Sequence, residues 1–202
     1  MGQFAPGSKL SEPRLSVLYG VSRAPLREAI LRLEARKLVT RMPRQSVRVV
    51  LPSLEAALEL FAMREVLEGL AAREAAHRAT REEIADLVAM LAEHRTTLDR
   101  PDAMIYWQAS TNSDFHFMIA RIARNRHLFD VLCGEHYSLL RLYRMQHRIV
   151  PGRAKQALRE HERIVEAISE GDGELAELLM RRHVASARAG LAAGERASPN
   201  ER

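Results

Sequence analysis

Two histidines in the last third of the chain lie on apolar stripes that have the repeat of an α-helix. His161 follows Leu158 by three residues and precedes Ile164 by three, and His183 follows Leu179 by four. Residues three or four apart share one face of a helix. Both histidines are therefore predicted to face a protein core.

A short turn, Gly171 to Gly173, separates these two stretches, and its centre places the histidines level with each other. Asp172 is eleven residues from His161 and eleven residues from His183. Two antiparallel helices leaving this turn carry each histidine about 16 Å away from it, at about 1.5 Å per residue. The spacing predicts that the two imidazoles can share a ligand.

A third histidine, His116, lies on a predicted helix one turn after Asn112, on the face that also carries Ile105 and Ile119. Asp114 is turned by about 200° from Asn112 and is predicted to point to solvent. A single histidine on such a face is usually a hydrogen-bonded core residue. Three on the inner faces of three helices favour a metal site, since imidazole suits Zn²⁺, Ni²⁺, Cu²⁺ or Fe²⁺. The other histidines lack this pattern and are predicted to be surface or incidental residues: His77, His94, His127, His136 and His147.

Positive charge is concentrated in the first quarter of the 202-residue chain. Residues 1–51 contain ten basic and three acidic side chains, a net charge of +7, whereas the remainder has 21 basic and 23 acidic side chains. This division is expected when the first quarter contacts a polyanion. The single cysteine, Cys133, cannot form an intrachain disulfide, and no apolar run approaches the roughly 18 residues of a membrane span. These features predict a soluble, cytoplasmic protein.

Two short helices are predicted within this basic quarter. The first has Ser11 as N-cap and ends at Gly20, and Ser22 caps the second. Together they form a helix-turn-helix. Arg23 and Arg27 project from one face of the second helix, near the end that meets base edges in a recognition helix. An arginine can bind guanine there through two hydrogen bonds.

A β-hairpin is predicted after the second helix, because β-branched residues in "LVTRM" and "SVRVV" flank a basic tip. The tip consists of Arg44, Gln45 and Ser46. Such a wing suits contact with phosphates or with the minor groove. The capped helices, the paired arginines and the uneven charge favour DNA binding over the alternative, a solvated charged helix pair in an ordinary bundle.

The stretches "PGSKLSE" and "GVSRAPLREAILRLEARKLV" resemble the winged-helix domain of GntR-type transcription regulators. The remainder is similar to the FCD branch of that family, which has an all-helical effector domain. The resemblance extends roughly from Ala5 to Gly190. It implies that the second helix, through Arg23 and Arg27 beside Ser22, and the wing tip contact DNA.

The chain departs from that family at three points. Such regulators have a helix before "PGSKL", but only Met1 to Ala5 precede it here, so either the first helix is absent or the true start lies upstream. Lys37 and Ser46 replace the usual glycines before the hairpin and at the wing. A non-glycine residue at a position that needs a positive φ has a conformational cost.

The resemblance also implies the ligands of the metal site. Metal-binding FCD domains use an aspartate four residues before a histidine, then two further histidines on the last two helices. By position these are Asn112, His116, His161 and His183, and the expected cofactor is a divalent transition metal, Zn²⁺ or Ni²⁺ first. Because neutral Asn112 replaces the aspartate, we expect weaker metal binding and a preference for an anionic effector.

Arg64 is a candidate for binding that effector. It matches an arginine commonly found at the pocket of such regulators, and it could hold an organic acid with two hydrogen bonds. The alternative is an exposed i, i+4 ion pair with Glu68. Tyr137 and Arg141 are weaker effector-binding candidates.

The fold class predicted is mainly α, with an N-terminal winged helix-turn-helix and a C-terminal bundle of six helices. The helices are expected from Ser53 to about His77, from a Thr80–Glu83 capping box to about Leu98, over 101–123 and 125–148, and on both sides of the 171–173 turn. The predicted domains are 1–51 for DNA binding, 52–191 for effector binding and dimerisation, and a disordered tail at 192–202.

The favoured function is that of a homodimeric transcription regulator, not an enzyme, that binds a palindromic site on double-stranded DNA. Its helical domain would bind a metal and a small carboxylate effector that modulates operator binding. One alternative is a metal-dependent hydrolase or lyase that uses the three histidines. Glu160 or Glu162 could serve as its base, although neighbours of His161 on a helix point to other faces. The other alternative is a regulator with a metal-free structural pocket.

Overall fold

The computed structural model describes residues 4–41, 47–51, 53–98, 115–135 and 152–197. The chain separates into two units, Met1–Ser53 and Leu54–Arg202. Within the described ranges, every helix is too short or too polar to cross a lipid bilayer.

The N-terminal unit contains two helices and a three-stranded antiparallel sheet. Helix α1 spans Glu12–Tyr19 and helix α2 spans Arg23–Ala35. The strands are β1 (Lys9–Leu10), β2 (Val39–Arg41) and β3 (Val47–Val49), in the spatial order β1-β3-β2. This arrangement confirms the predicted winged helix-turn-helix.

Local sequence accounts for the turns of this unit. Gly20 ends α1 with a φ of +64°, a left-handed conformation that glycine adopts without steric cost. Lys37 follows α2 with a φ of +56°, so the missing glycine does impose a strained backbone there. The apolar faces of the helices and strands form a small core of Leu10, Leu15, Leu26, Ile30, Val39 and Val47.

The second unit is all-helical. Its helices are α3 (Leu54–Arg78), α4 (Arg81–Leu98), α5 (Phe115–Ile122), α6 (Arg126–Phe129), α7 (Arg153–Ser169) and α8 (Gly173–Ala197), with a π-helical turn after α6 at Asp130–Glu135. Helix α3 packs along α8, and α7 packs against both α8 and α4. Helix α5 contacts α3 and is buried on nearly all sides, as its continuous apolar sequence requires.

Several helix boundaries follow from caps that the sequence contains. Glu83 and Thr80 form the predicted capping box, since each side chain accepts a hydrogen bond from the other's backbone N–H, at 3.0 and 3.2 Å. Asn125 caps α6 by accepting from the backbone N–H of Leu128 at 3.1 Å. Asp172 caps α8 by accepting from the backbone N–H of Leu175 at 2.9 Å.

The predicted start of a disordered tail at residue 192 is wrong, because α8 continues to Ala197. The segment after Leu191 consists mainly of alanine, glutamate and arginine, which are good helix formers. Leu191 is buried and anchors this part of the helix in the core. The predicted helices over 101–123 and 125–148 lie only partly within the described residues.

Candidate metal centre and nucleic-acid interface

His161 and His183 lie side by side in the core of the helical unit. Helices α7 and α8 are antiparallel neighbours joined through the turn at Gly171, whose φ is +74°. The Nε2 atoms of the two histidines are 3.2 Å apart, and the residues are 1% and 5% exposed. The two histidines therefore meet at the height along their helices that their equal spacing from Asp172 predicts.

His116 on α5 completes the cluster. Its ring centroid lies 5.5 Å from that of His161 and 5.2 Å from that of His183. One ring nitrogen from each residue falls within 4.8 Å of the other two. All three histidines are buried, so the bundle gathers three imidazoles from three helices into one place.

The chemistry of these donors suits a transition metal. Zn²⁺ binds imidazole nitrogen at about 2.0–2.1 Å, so two nitrogens on one ion lie about 3–3.4 Å apart at ordinary coordination angles. The separation of 3.2 Å between His161 Nε2 and His183 Nε2 falls within this range. Three imidazoles without a thiolate suit Zn²⁺, Ni²⁺, Cu²⁺ or Fe²⁺ better than Mg²⁺ or Ca²⁺.

A carboxylate supports His183 on the side away from the cluster. Glu160 Oε2 lies 2.6 Å from His183 Nδ1 and also accepts a hydrogen bond from Arg153 at 3.0 Å. The other oxygen, Oε1, accepts from Gln156 Nε2 at 2.8 Å. Because a carboxylate only accepts, the proton of a neutral His183 ring belongs on Nδ1 and the lone pair on Nε2.

A second carboxylate lies beside His116. Glu68 Oε2 is 2.5 Å from His116 Nδ1, although the alignment is not that of an ideal hydrogen bond. Glu68 Oε1 accepts from Arg64 Nε at 2.7 Å, and Arg64 Cζ lies 4.6 Å from the centre of the Phe61 ring. Arg64 and Glu68 are 2% and 3% exposed. The site therefore contains a buried ion pair on α3.

The orientation of His161 is set by an aromatic contact. Phe115 stacks on its ring with centroids 3.8 Å apart and planes at 14°. Phe115 is adjacent to His116, so the first turn of α5 supplies both a histidine and the surface on which a second histidine rests.

Burial dominates the protonation of the cluster. It lowers the pKa of His161 well below its ordinary value, and the charges of His183 and His116 lower it further. Burial also lowers the pKa of His183, against the opposing effect of the Glu160 hydrogen bond. For Glu160, burial raises the pKa, but His183 and Arg153 together bring it below its ordinary value. Glu160 therefore ionises more readily than an ordinary glutamate.

The structure corrects two predictions about this region. Arg64 does pair with Glu68, but the pair is buried instead of exposed, because α3 is covered on this face by α5 and α8. His94 was predicted to be incidental, yet it is 6% exposed and close enough to lower the pKa of His161 through its charge. His77 and His127 are exposed as predicted.

The burial of His94 has a sequence signal. It follows Leu87 by seven residues and precedes Leu98 by four, so it lies on an apolar stripe of α4 with the same helical spacing that identified His161 on α7. Glu160 and Glu68 were missed as supports of the cluster, since their partners lie on other helices. Several predicted site residues lie outside the described ranges: Asn112, Tyr137, Arg141, Arg44, Gln45 and Ser46, as do Asp114, His136 and His147.

The predicted DNA-reading face is exposed on α2. Ser22, Arg23 and Arg27 are exposed, whereas Leu26 and Ile30 of the same helix are buried. Arg27 Nε lies 3.1 Å from Glu12 Oε2, with 65% of the arginine side chain still accessible.

Comparison with known proteins agrees with this geometry. Residues 59–186 match the FCD domain, and residues 1–49 match the bacterial regulatory proteins of the gntR family. The chain is 31% identical to the HTH-type transcriptional regulator YdhC of Bacillus subtilis (strain 168), over 87% of this chain and 77% of that protein. It is 28% identical to the HTH-type transcriptional repressor RspR of Escherichia coli (strain K12), over 89% and 78% of the two chains.

A solved structure has the same fold. Escherichia coli McbR/YncC superimposes with a TM-score of 0.77 over 96% of this chain and 91% of that one, at 20% sequence identity. The named relatives are transcription regulators, and the helix-turn-helix that they share with this chain is its DNA-binding part. The chain belongs to the GntR family of DNA-binding transcription regulators, in the branch that carries an FCD domain.

Proposed function

We propose that the helical unit binds a divalent transition metal, Zn²⁺ or Ni²⁺, and a small organic-acid effector that changes operator affinity. The observation that supports it is the convergence of three buried histidines, with His161 Nε2 and His183 Nε2 3.2 Å apart. His116 and Asn112 are the further ligands in this proposal. A bound ion would offer open coordination positions to the carboxylate of the effector.

The neutral ligand set is the reason for proposing an anionic effector. Three imidazoles and the amide of Asn112 leave the full charge of a divalent ion uncompensated by its direct ligands. A carboxylate effector would reduce this charge on binding. Tyr137 and Arg141 remain candidates for contacting it, whereas Arg64 is already held by Glu68 and acts in this proposal through that carboxylate.

Metal binding can regulate DNA binding only if the two events are energetically coupled. An effector changes operator affinity by the difference between its affinities for the DNA-bound and free conformations. We propose that the regulator acts as a homodimer, so that two recognition helices read a palindromic operator. Arg23 and Arg27 on α2 and the wing residues Arg44, Gln45 and Ser46 would make the contacts with DNA.

Calorimetry on the chelator-treated full chain tests the metal proposal. Zn²⁺ and Ni²⁺ are titrated alone and then in the presence of citrate, as a simple carboxylate probe. Wild type should bind metal, His183→Gln should lose most of this affinity, and the exposed control His127→Gln should retain it. Absence of binding with metal alone and with metal plus citrate would leave the pocket as a structural one.

DNA binding is tested with duplexes selected by the protein from a random library. The double variant Arg23→Ala and Arg27→Ala should lose operator binding while its metal affinity stays at the wild-type value. His183→Gln should lose metal affinity but still bind the selected duplex, because its DNA-reading face on α2 is unchanged. Operator binding that survives loss of both arginines would contradict the assigned interface.

A further inference from the structure

We propose that Glu68 and Glu160 are positioning residues that hold two of the histidines with the ring proton on Nδ1, so that Nε2 is presented to the centre of the cluster. This role rests on the proposed metal site and concerns two side chains that contact the histidine ligands without binding the metal themselves. Two sets of three side chains have the same order of arginine, glutamate and histidine. They are the Arg64 set, Arg64–Glu68–His116, and the Arg153 set, Arg153–Glu160–His183.

In the Arg153 set, three side chains hold the carboxylate of Glu160 in place. Glu160 Oε2 accepts from Arg153 and contacts His183 Nδ1, while Oε1 accepts from Gln156. Arg153 also reaches the backbone carbonyl of His183 at 3.4 Å, so it ties α7 to the turn of α8 that carries the histidine. Such a carboxylate leaves the imidazole one orientation and one neutral tautomer.

In the Arg64 set, the carboxylate of Glu68 is held by its burial beside a cation instead of by several hydrogen-bond donors. Glu68 and Arg64 are almost fully buried, and a buried carboxylate is stable only beside a cation or several donors. Its second oxygen faces His116 Nδ1 on α5. Arg64 therefore sets the position of a carboxylate that in turn faces a cluster histidine.

The two carboxylates also supply negative charge next to neutral rings. A carboxylate that accepts a hydrogen bond from the Nδ1–H group makes the opposite nitrogen a better electron donor to a metal. This contribution matters here because the three imidazoles of the cluster are uncharged ligands when they bind a metal through a lone pair. The carboxylates of Glu68 and Glu160 can offset part of the positive charge of the metal that its neutral direct ligands leave uncompensated.

The first test replaces Glu160 in the full chain. Glu160→Leu removes both charge and acceptor, and Glu160→Gln removes the charge alone. Glu162→Leu is the matched control, because Glu162 lies two residues further along α7 and pairs with Arg95 outside the cluster. Calorimetric titration of the metal-stripped variants with Zn²⁺ should give an affinity about 10–100-fold weaker for Glu160→Leu. Glu160→Gln should lie between this variant and wild type.

The control variant should remain within about twofold of wild type, since its ion pair is exposed. An affinity of Glu160→Leu equal to that of the control would overturn the proposal. The metal-free protein provides a second readout, because long-range ¹⁵N–¹H NMR distinguishes the two imidazole tautomers. The His183 signals, identified by their loss in His183→Gln, should show the proton on Nδ1 in wild type and a shift toward Nε2 in Glu160→Leu.

These two readouts separate this proposal from the proposed function. Wild type that binds no Zn²⁺ but keeps the Nδ1 proton on His183 would refute the metal function and support the positioning role. Wild type with the proton on Nε2 would refute the positioning role even if Zn²⁺ binds.

The role of the Arg64 set is tested by replacing Arg64 and Glu68 in the same variant, because replacing only one of them would leave an unpaired charge in the core. The double variant Arg64→Met and Glu68→Leu should keep the helical circular dichroism signal and bind Zn²⁺ about 10–100-fold more weakly. The matched control removes the partly exposed pair between α3 and α8, Glu65→Leu with Arg181→Met. A folded double variant with wild-type affinity would overturn the role of Glu68.

Discussion

Replacing Glu68 by glutamine is expected to destabilise the helical unit strongly, because the change leaves the Arg64 guanidinium charged in the core. Arg64 Nε and Glu68 Oε1 are 2.7 Å apart, and both residues are at most 3% exposed. Removing one partner of a buried ion pair costs about 3–5 kcal/mol. The cation–π contact of Arg64 with Phe61 is present before and after the change, so it does not reduce this difference.

Urea denaturation followed by far-UV circular dichroism measures the free energy of unfolding of each variant. The matched control is Glu65→Gln, on the same helix, whose partner Arg181 lies 4.0 Å away with 45% of its side chain exposed. This control should cost less than about 1 kcal/mol. The double variant Arg64→Met and Glu68→Leu should recover most of the loss, since apolar residues of similar volume often replace a buried pair without cost.

Equal stabilities of Glu68→Gln and Glu65→Gln would refute this reasoning. That result would mean that Arg64 reaches water or another counter-charge once Glu68 is neutral. A double variant less stable than Glu68→Gln would also contradict it, because the packing of α3, and not the stranded charge, would then dominate the loss.

Three further predictions concern other parts of the chain. The pKa of His161 lies well below its ordinary value of 6.5 because burial disfavours the charged ring; below about pH 6.5 only the unfolded chain takes up this proton, so metal-free wild type should lose stability as the pH falls, by up to about 1.4 kcal/mol per pH unit for this group. Urea denaturation at several pH values should show this slope and a smaller one in His161→Gln; identical slopes would contradict it. Lys37→Gly should stabilise the winged unit by up to about 1 kcal/mol, because relief of a left-handed lysine exceeds the added chain entropy of glycine; an unchanged or lower melting temperature would argue against strain there. Thr80→Ala should cost about 1 kcal/mol of unfolding free energy by removing the cap of α4, whereas Thr96→Ala, inside the same helix, serves as the control.

Much of the fold was predictable because its signals act over a few residues. Ser11 and Gly20 bound α1 as predicted, and Thr80 with Glu83 opens α4 through the expected pair of hydrogen bonds. A cap or a left-handed turn depends on one residue and its immediate neighbours. The end of α8 was predicted less well, since the polar composition after Leu191 concealed a sequence with good helix propensity.

The meeting of the cluster histidines was predictable to a similar degree. A tight turn between two helices converts equal sequence distance into equal height, so His161 and His183 had to meet once both faced the core. A helical stripe of the same kind on α4 contains His94, which is also buried, but no short turn of known centre relates its height to that of another histidine.

The sequence alone determined where several of the described helices begin and end and that His116, His161 and His183 turn inward, because these properties depend on neighbours three or four residues away. Only the tertiary structure decided that Glu160 supports His183 and that Glu68 faces His116, 48 residues further along the chain. Contacts of this kind depend on how far one helix is rotated and shifted against another. That rotation results from packing of the whole core, which no local pattern specifies.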